Sequence, residues 1–231
     1  MAAIEISTLT DLLTDLAEKI GETEVNTDDR RKRMINNAYR KIASKAQWWW
    51  LETSDATTTT TTALSYTLPT NFRSFHQLNP VKIVLSGATT WYQMIPFSQL
   101  QRYDGTSGVV QLPQFRRKKV AYIYGSTIYF VQSAMTAGGT VTYYYYKEPV
   151  GLDAGSDEPL MPDLYREMIS LYAAGMYLSS QGGEEAEQGK DYLALFDDYL
   201  RDMFNEHDDR LATGVKVRAL DPEEAEVFNN N

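Results

Sequence analysis

"AQWWWLET", residues 46–53, is the stretch on which the reading of this chain turns. Apolar residues recur at helical spacing before it and alternate after it, and three consecutive tryptophans, Trp48, Trp49 and Trp50, stand on the join. If the helix continues through them, consecutive side chains point about 100° apart, so the rings fan around more than half the cylinder and one packing face cannot bury them all. Each ring carries roughly 150 to 250 Å² of surface that needs cover. The expectation is that one ring faces a helical bundle, another a β module, and the third is left for a loop or a neighbouring molecule.

Working upstream, "STLTDLLTDLAEKIG" places Leu9, Leu12, Leu13, Leu16, Ala17 and Ile20 at helical spacing, with Thr8 and Asp11 as a capping box and Gly21 as the stop. A second helix is expected to begin at Thr27, with Asp28 and Asp29 in its first turn, and to run on to the tryptophans. Met34, Ile35, Ala38, Tyr39, Ile42, Ala43 and Ala46 make its apolar stripe, and Arg30, Arg31, Lys32 and Arg33 a basic cluster.

Downstream, Thr57 to Thr62 are consecutive β-branched residues with strong strand preference. "ALSYTLP", "VKIVL", "WYQMIP" and "TVTYYYYKEP" read as strands, "AYIYGSTIYFV" as two strands joined at Gly125 and Ser126, and "FSQLQRYDG" as a short helix. In "TYYYYKEP" Tyr143 and Tyr145 share one face and Tyr144 and Tyr146 the other, the pattern of a strand covered on both sides. Helix returns after the breaker-rich residues 149–163. Leu164, Tyr165, Met168, Ile169, Tyr172, Ala173, Met176 and Tyr177 form one helix halted at Gly182 and Gly183. Leu193, Phe196, Tyr199, Leu200 and Met203 line a last one, over about residues 184–206, and a polar tail follows.

The fold class expected is therefore α+β: a helical bundle built from residues 1–51 and 151–207, an inserted antiparallel β-rich module at 52–150, and an extended C-terminal arm at 208–231. The chain has 231 residues and 43% apolar content, enough for a sizeable core. No apolar run is long enough to span a membrane and no leader is seen, which implies that the chain starts in the cytoplasm of whatever cell makes it. The absence of cysteine removes disulfides, thiolate metal sites and cysteine nucleophiles. Charge is lopsided: residues 151–231 carry 19 acidic and 6 basic side chains of a chain whose net charge is −9. Such a surface repels like-charged polymers and attracts a complementary one.

No catalytic constellation emerges. His76 has no acid or hydroxyl partner at a suggestive spacing, and His207 before Asp208 and Asp209 reads as a solvated helix end rather than a metal site. Gly105 and Gly108 lack the lysine and helix of a phosphate loop. The abundant late carboxylates make any acid–base pair among them uninformative. Arg116, Arg117, Lys118 and Lys119, flanked by Phe115 and Tyr122, form the sharpest basic patch and suit an acidic partner surface. Basic residues beside aromatics also suit single-stranded nucleic acid. A soluble module that binds polysaccharide or single strands through Tyr and Arg residues of the β module is thus the alternative reading.

"INNAYRKIASKAQWWWLE", "YTLPTNFRSF", "YYYYKEP", "PDLYREMISLYAAGMYL" and "YLALFDDYLRDM", in this order over residues 25–206, resemble the head-to-tail adaptor proteins of tailed bacteriophages, especially short-tailed ones. The resemblance implies a structural virion protein without a cofactor. It implies a ring, commonly of twelve copies, beneath the portal protein, with a downstream nozzle or tube protein docked below and genomic DNA passing through unbound. Trp48, Trp49, Trp50, Arg30, Arg31 and Arg33 then become candidates for subunit contact. The last residues become a portal-gripping arm, with Arg210, Val215, Val217, Leu220, Val227 and Phe228 as its contacts.

Overall fold

The computed structural model describes residues 6–22, 28–76, 80–100, 119–132 and 134–219. It is α+β, with helices and a large, mostly antiparallel sheet. The chain divides into two compact units, one of Met1–Trp50 with Pro149–Asn231 and the other of Leu51–Glu148.

In the first unit, helix α1 (Leu9–Ile20) starts where its sequence says it must. The Thr8 side chain accepts from the Asp11 backbone, and the Asp11 carboxylate accepts in return from the Thr8 backbone N–H at 2.8 Å. Those bonds from Thr8, helped by Ser7, hold the Asp11 carboxyl below its usual range. Gly21, at φ 67°, closes the helix, and Leu9, Leu12 and Leu16 are buried. Helix α2 (Asp28–Ala43) buries Ile35, Ala38, Tyr39, Ile42 and Ala43. Thr27, the expected start, lies outside the described residues.

A single 3-10 turn, Asp163–Tyr165, leads towards α4 (Glu167–Ser179), which is apolar nearly all round. It buries Met168, Ile169, Leu171, Ala173, Ala174 and Leu178. A helix without a polar face has to be central, and α4 contacts α1, α2 and α5 (Gly183–Ala219). The α4–α5 approach depends on two glycines. A Cβ on Gly189 would sit 2.6 Å from the Ser179 backbone nitrogen, and one on Gly175 would sit 2.7 Å from Leu193 Cγ.

Helix α5 corrects the expected end near residue 206: it continues to Ala219. The reason is that the buried stripe of Phe196 and Met203 extends to His207, one helical step on, so packing carries the helix past the polar "HDD". Val215 and Val217 fall on this added helix, whereas Leu220, Val227 and Phe228 lie outside the described residues.

The second unit is one sheet of β1 (Glu52–Thr59), β2 (Ser65–Thr67), β3 (Phe72–Phe75), β4 (Val81–Leu85), β5 (Ala88–Met94), β6 (Lys119–Tyr124), β7 (Thr127–Phe130) and β8 (Thr140–Lys147). Its order is β1-β8-β4-β5-β6-β7-β2, with β3 also paired to β8; the short helix α3 (Phe97–Leu100) follows β5. The tyrosine-rich β8 has strands on both edges, β1 on one side and β3 and β4 on the other. Alternation along β4, β7 and β8 brings Val81, Ile83, Ile128, Phe130, Val141, Tyr143 and Tyr145 into one core. The sheet departs from the all-antiparallel expectation at β5 and β6, which pair in parallel. Parallel neighbours need a crossover of a dozen or more residues, and the connection from Ile95 to Lys118 is long enough to supply it.

Burial pushes the phenols of Tyr39 and Tyr143 up to about 12. An unfolded tyrosine ionises near 10, so the folded state holds the extra proton between those values and loses stability as pH rises through that window. Tyr39 accepts a hydrogen bond from the Leu160 N–H at 2.9 Å and is closed off from solvent. We expect urea melts to give up about 2 to 3 kcal/mol between about pH 9.5 and about pH 12 for each such phenol. Tyr39→Phe should shallow that slope by one proton's worth; an unchanged slope would show that Tyr39 is not the group responsible.

Candidate functional site

The tryptophans do not sit on an α-helix. α2 ends at Ala43, a turn follows, and Trp49–Leu51 form one 3-10 turn. Successive side chains on such a turn diverge by about 120°, which separates Trp49 from Trp50, while Trp48, just before the turn, stacks on Trp50. Trp48 is 0% exposed, and its indole N–H donates to the Ile42 carbonyl at 2.8 Å. Phe204 tilts onto it at 4.7 Å between centroids and His207 meets it at 5.5 Å. Trp50 stacks between Tyr39 at 6.1 Å and Trp48 at 6.5 Å and stays half-buried. Trp49, also half-buried, stacks on His207 at 5.8 Å, and the Arg210 guanidinium lies 4.8 Å over its ring.

Two expectations are corrected here. A side chain with no exposed surface cannot touch a neighbouring subunit, so Trp48 belongs to the core, and Trp49 and Trp50 remain the surface candidates. His207 is no solvated helix end: it is buried between two indoles in the middle of α5. Arg210, expected in the arm, is exposed and covers Trp49, and it also binds Glu206 at 2.7 Å. That arginine, with the Tyr165 hydroxyl, holds the Glu206 carboxyl below its usual range.

The arginine cluster is split by the helix itself, because neighbours on α2 point in different directions. Arg30 pairs with Glu22, a bond that raises its pKa further, and lies 4.8 Å over the Tyr177 ring. Arg31 is buried, which removes it from the subunit-contact candidates, while Arg33 is exposed. Arg33, Asn37, Arg40 and Lys41 make an exposed, mostly basic ridge. On one side of it Lys32, Arg33, Asn36 and Arg40 face Gly151–Asp153 across a polar groove. There Asn36 donates to the Leu152 carbonyl at 2.9 Å and accepts its N–H at 2.8 Å, and Lys32 pairs with Asp153 at 2.5 Å. On the other side Met34, Ala38, Tyr172, Ala173 and Met176 line an apolar groove of about 420 Å³ between α2 and α4.

In the sheet unit, Arg116, Arg117 and Lys118 lie outside the described residues, and Lys119 is exposed at the start of β6. His76 stacks on Tyr146 at 4.8 Å and, against expectation, has an acid partner, Glu52, at 3.4 Å. Sequence reasoning missed a cation–aromatic trio: Lys82 Nζ lies 5.7 Å from the Trp91 ring and 5.6 Å from Tyr144. Only the cross-strand register, Lys82 opposite Trp91, brings these residues together. Among the described residues no cluster of His, Asp and Glu could hold a metal ion, and no helix is long and apolar enough to cross a membrane.

A family model described as SU10 adaptor protein matches residues 7–218. No curated protein matches the chain.

Proposed function

We infer the role of this protein from one premise: the chain belongs to the SU10 adaptor protein family, a phage head–tail adaptor family. It is therefore a structural component of the phage virion that works with portal and tail components. We propose that it closes with copies of itself, commonly twelve, into a ring beneath the portal protein. The ring offers its lower face to a nozzle or tube protein and leaves a channel for DNA. Half-buried Trp49 and Trp50, with exposed Arg30 and Arg33, belong to the contacts between subunits, and Lys119 with its basic neighbours in sequence serves partner docking. Acid that lines the channel keeps the genome from adhering, because like charge repels the phosphate backbone.

The family match across residues 7–218 is the observation that carries this reading. The length of α5 supports it. At 37 residues it runs about 55 Å, against about 20 Å for the 13 residues of α4, so it has length to spare for a partner beyond its own hairpin. The portal-gripping segment is assigned to the end of α5 and the residues after it, including Val215, Val217, Leu220, Val227 and Phe228.

A truncation tests this without disturbing the fold if it spares Arg210, which covers Trp49. Removing residues 212–231 should leave the melting temperature unchanged and abolish co-sedimentation with portal rings. Normal attachment of the shortened chain would sink the portal-arm assignment.

A further inference from the structure

Two helical ridges of the first unit are complementary in charge and spacing. On α2, Arg33, Asn37 and Arg40 stand at positions i, i+4 and i+7, all exposed, with Lys41 beside them. On α5, Asp191, Leu195 and Asp198 stand at the same i, i+4 and i+7, all exposed, with Asp202 a further turn on. Such residues form one stripe along a helix. Each stripe has charge at both ends and a different residue in the middle. The α5 stripe has an apolar knob there, Leu195, 49% exposed. The α2 stripe has Asn37, which stands on the rim of the apolar groove between α2 and α4. That groove is lined by Met34, Ala38, Tyr172 and Met176, the last 52% exposed. The exposed leucine is flanked by acids and the apolar groove by the basic ridge, so the two surfaces match when joined.

We propose that the α2–α4 groove of one copy receives the Asp191–Leu195–Asp198 stripe of α5 from a second copy. Leu195 enters the groove past Asn37, and the two aspartates meet Arg33 and Arg40, with Lys41 near the second pair. The two surfaces are different patches on the same chain, so each copy can give one and receive another. That is the head-to-tail contact from which a ring closes. The inference rests on the ring reading above and deepens it by naming the surfaces.

Charge reversal tests it on the full chain, with sedimentation velocity reporting association and thermal melts reporting folding. Arg33→Glu with Arg40→Glu should weaken self-association by at least about tenfold and leave the melting temperature unchanged, and so should Asp191→Lys with Asp198→Lys. A chain carrying all four changes should recover association, as should a mixture of the two double variants. Because the chain has no cysteine, a second measurement needs no background removal. An Asn37→Cys chain mixed with a Leu195→Cys chain should form disulfide-linked heterodimers on mild oxidation, in excess of either homodimer. Wild-type oligomers that persist in both double variants, or no recovery in the folded fourfold variant, would overturn the pairing and leave the ring reading standing. A wild-type chain that stays single at every concentration and gives no heterodimer would overturn the second copy as occupant. Copy number in purified particles judges the ring reading separately.

Discussion

Replacing Trp48 with alanine should destabilise the helical unit by about 4 kcal/mol, the upper end of what a single core truncation does. The indole is sealed from solvent, donates to the Ile42 carbonyl, and touches Trp49, Trp50, Phe204 and His207. Removing it empties a ring-sized volume and takes one of two donors from the Ile42 oxygen at the end of α2, which keeps only the Lys45 N–H at 3.0 Å. These neighbours come from α5 and from the chain that leaves α2, so they cannot collapse inward together without moving a helix. Trp48→Phe keeps most of the volume but not the donor, and should cost about 1 to 2 kcal/mol. Trp49→Ala should cost about 1 kcal/mol, because that ring is half-exposed and its arginine partner is solvated. Urea melts followed by circular dichroism rank the three. Equal losses at Trp48 and Trp49 would contradict the burial assigned to Trp48. A deficit in assembly rather than in melting is expected only for Trp49 and Trp50, and particle yield measures it.

The contrast between these neighbouring indoles also shows what the amino-acid sequence could and could not disclose. Local signals translated directly: the Thr8–Asp11 capping box, the Gly21 stop, the "VKIVL" strand and the hairpin at Gly125 and Ser126 all occur where side-chain chemistry puts them. Each is decided within a few residues. The tryptophans were legible as a problem but not as a solution, since their cover comes from Phe204, His207 and Arg210, more than 150 residues on. His207 misled for the same reason. Next to two aspartates it reads as polar surface, and only the packing of α5 against Trp48 reveals it as core. The parallel pairing of β5 with β6 has no local signature at all, because strand direction is set by the connection and not by the strands. On α2 the basic run was visible, yet its division into buried Arg31, paired Arg30 and exposed Arg33 follows from helix phase combined with which face meets α4.

Arg166 was silent in the sequence for a related reason: one cation in "PDLYREM" carries no pattern. Its substitution should nevertheless have the second large effect. The side chain is 7% exposed and spends its donors on three carbonyls. Nε donates to Met161 at 3.1 Å, Nη1 to Ser7 at 2.8 Å and Nη2 to Pro159 at 3.1 Å, and Asp163 approaches to 2.8 Å. Ser7 immediately precedes the cap of α1, and the first turn of α1 is tied to the same region through Leu9 N–H to the Asp157 carbonyl and Thr10 N–H to the Gly155 carbonyl. One guanidinium therefore joins the start of α1 to the approach to α4. Arg166→Ala leaves these carbonyls without their donor and should cost about 3 to 5 kcal/mol. Arg166→Lys should recover less than half of that, because an ammonium cannot aim three N–H groups along a planar fork. Arg166→Met separates packing from hydrogen bonding: it keeps the apolar stem and should remain close to the alanine variant. Since the site is enclosed, added salt should change these losses little, whereas the exposed Arg201–Asp198 pair should contribute less than about 1 kcal/mol and fade with salt. Amide exchange at Leu9 and Thr10 should quicken before that of α4. A loss at Arg166 no larger than at Arg201, or α1 amides that keep their protection, would show that the clamp does not hold α1 in place.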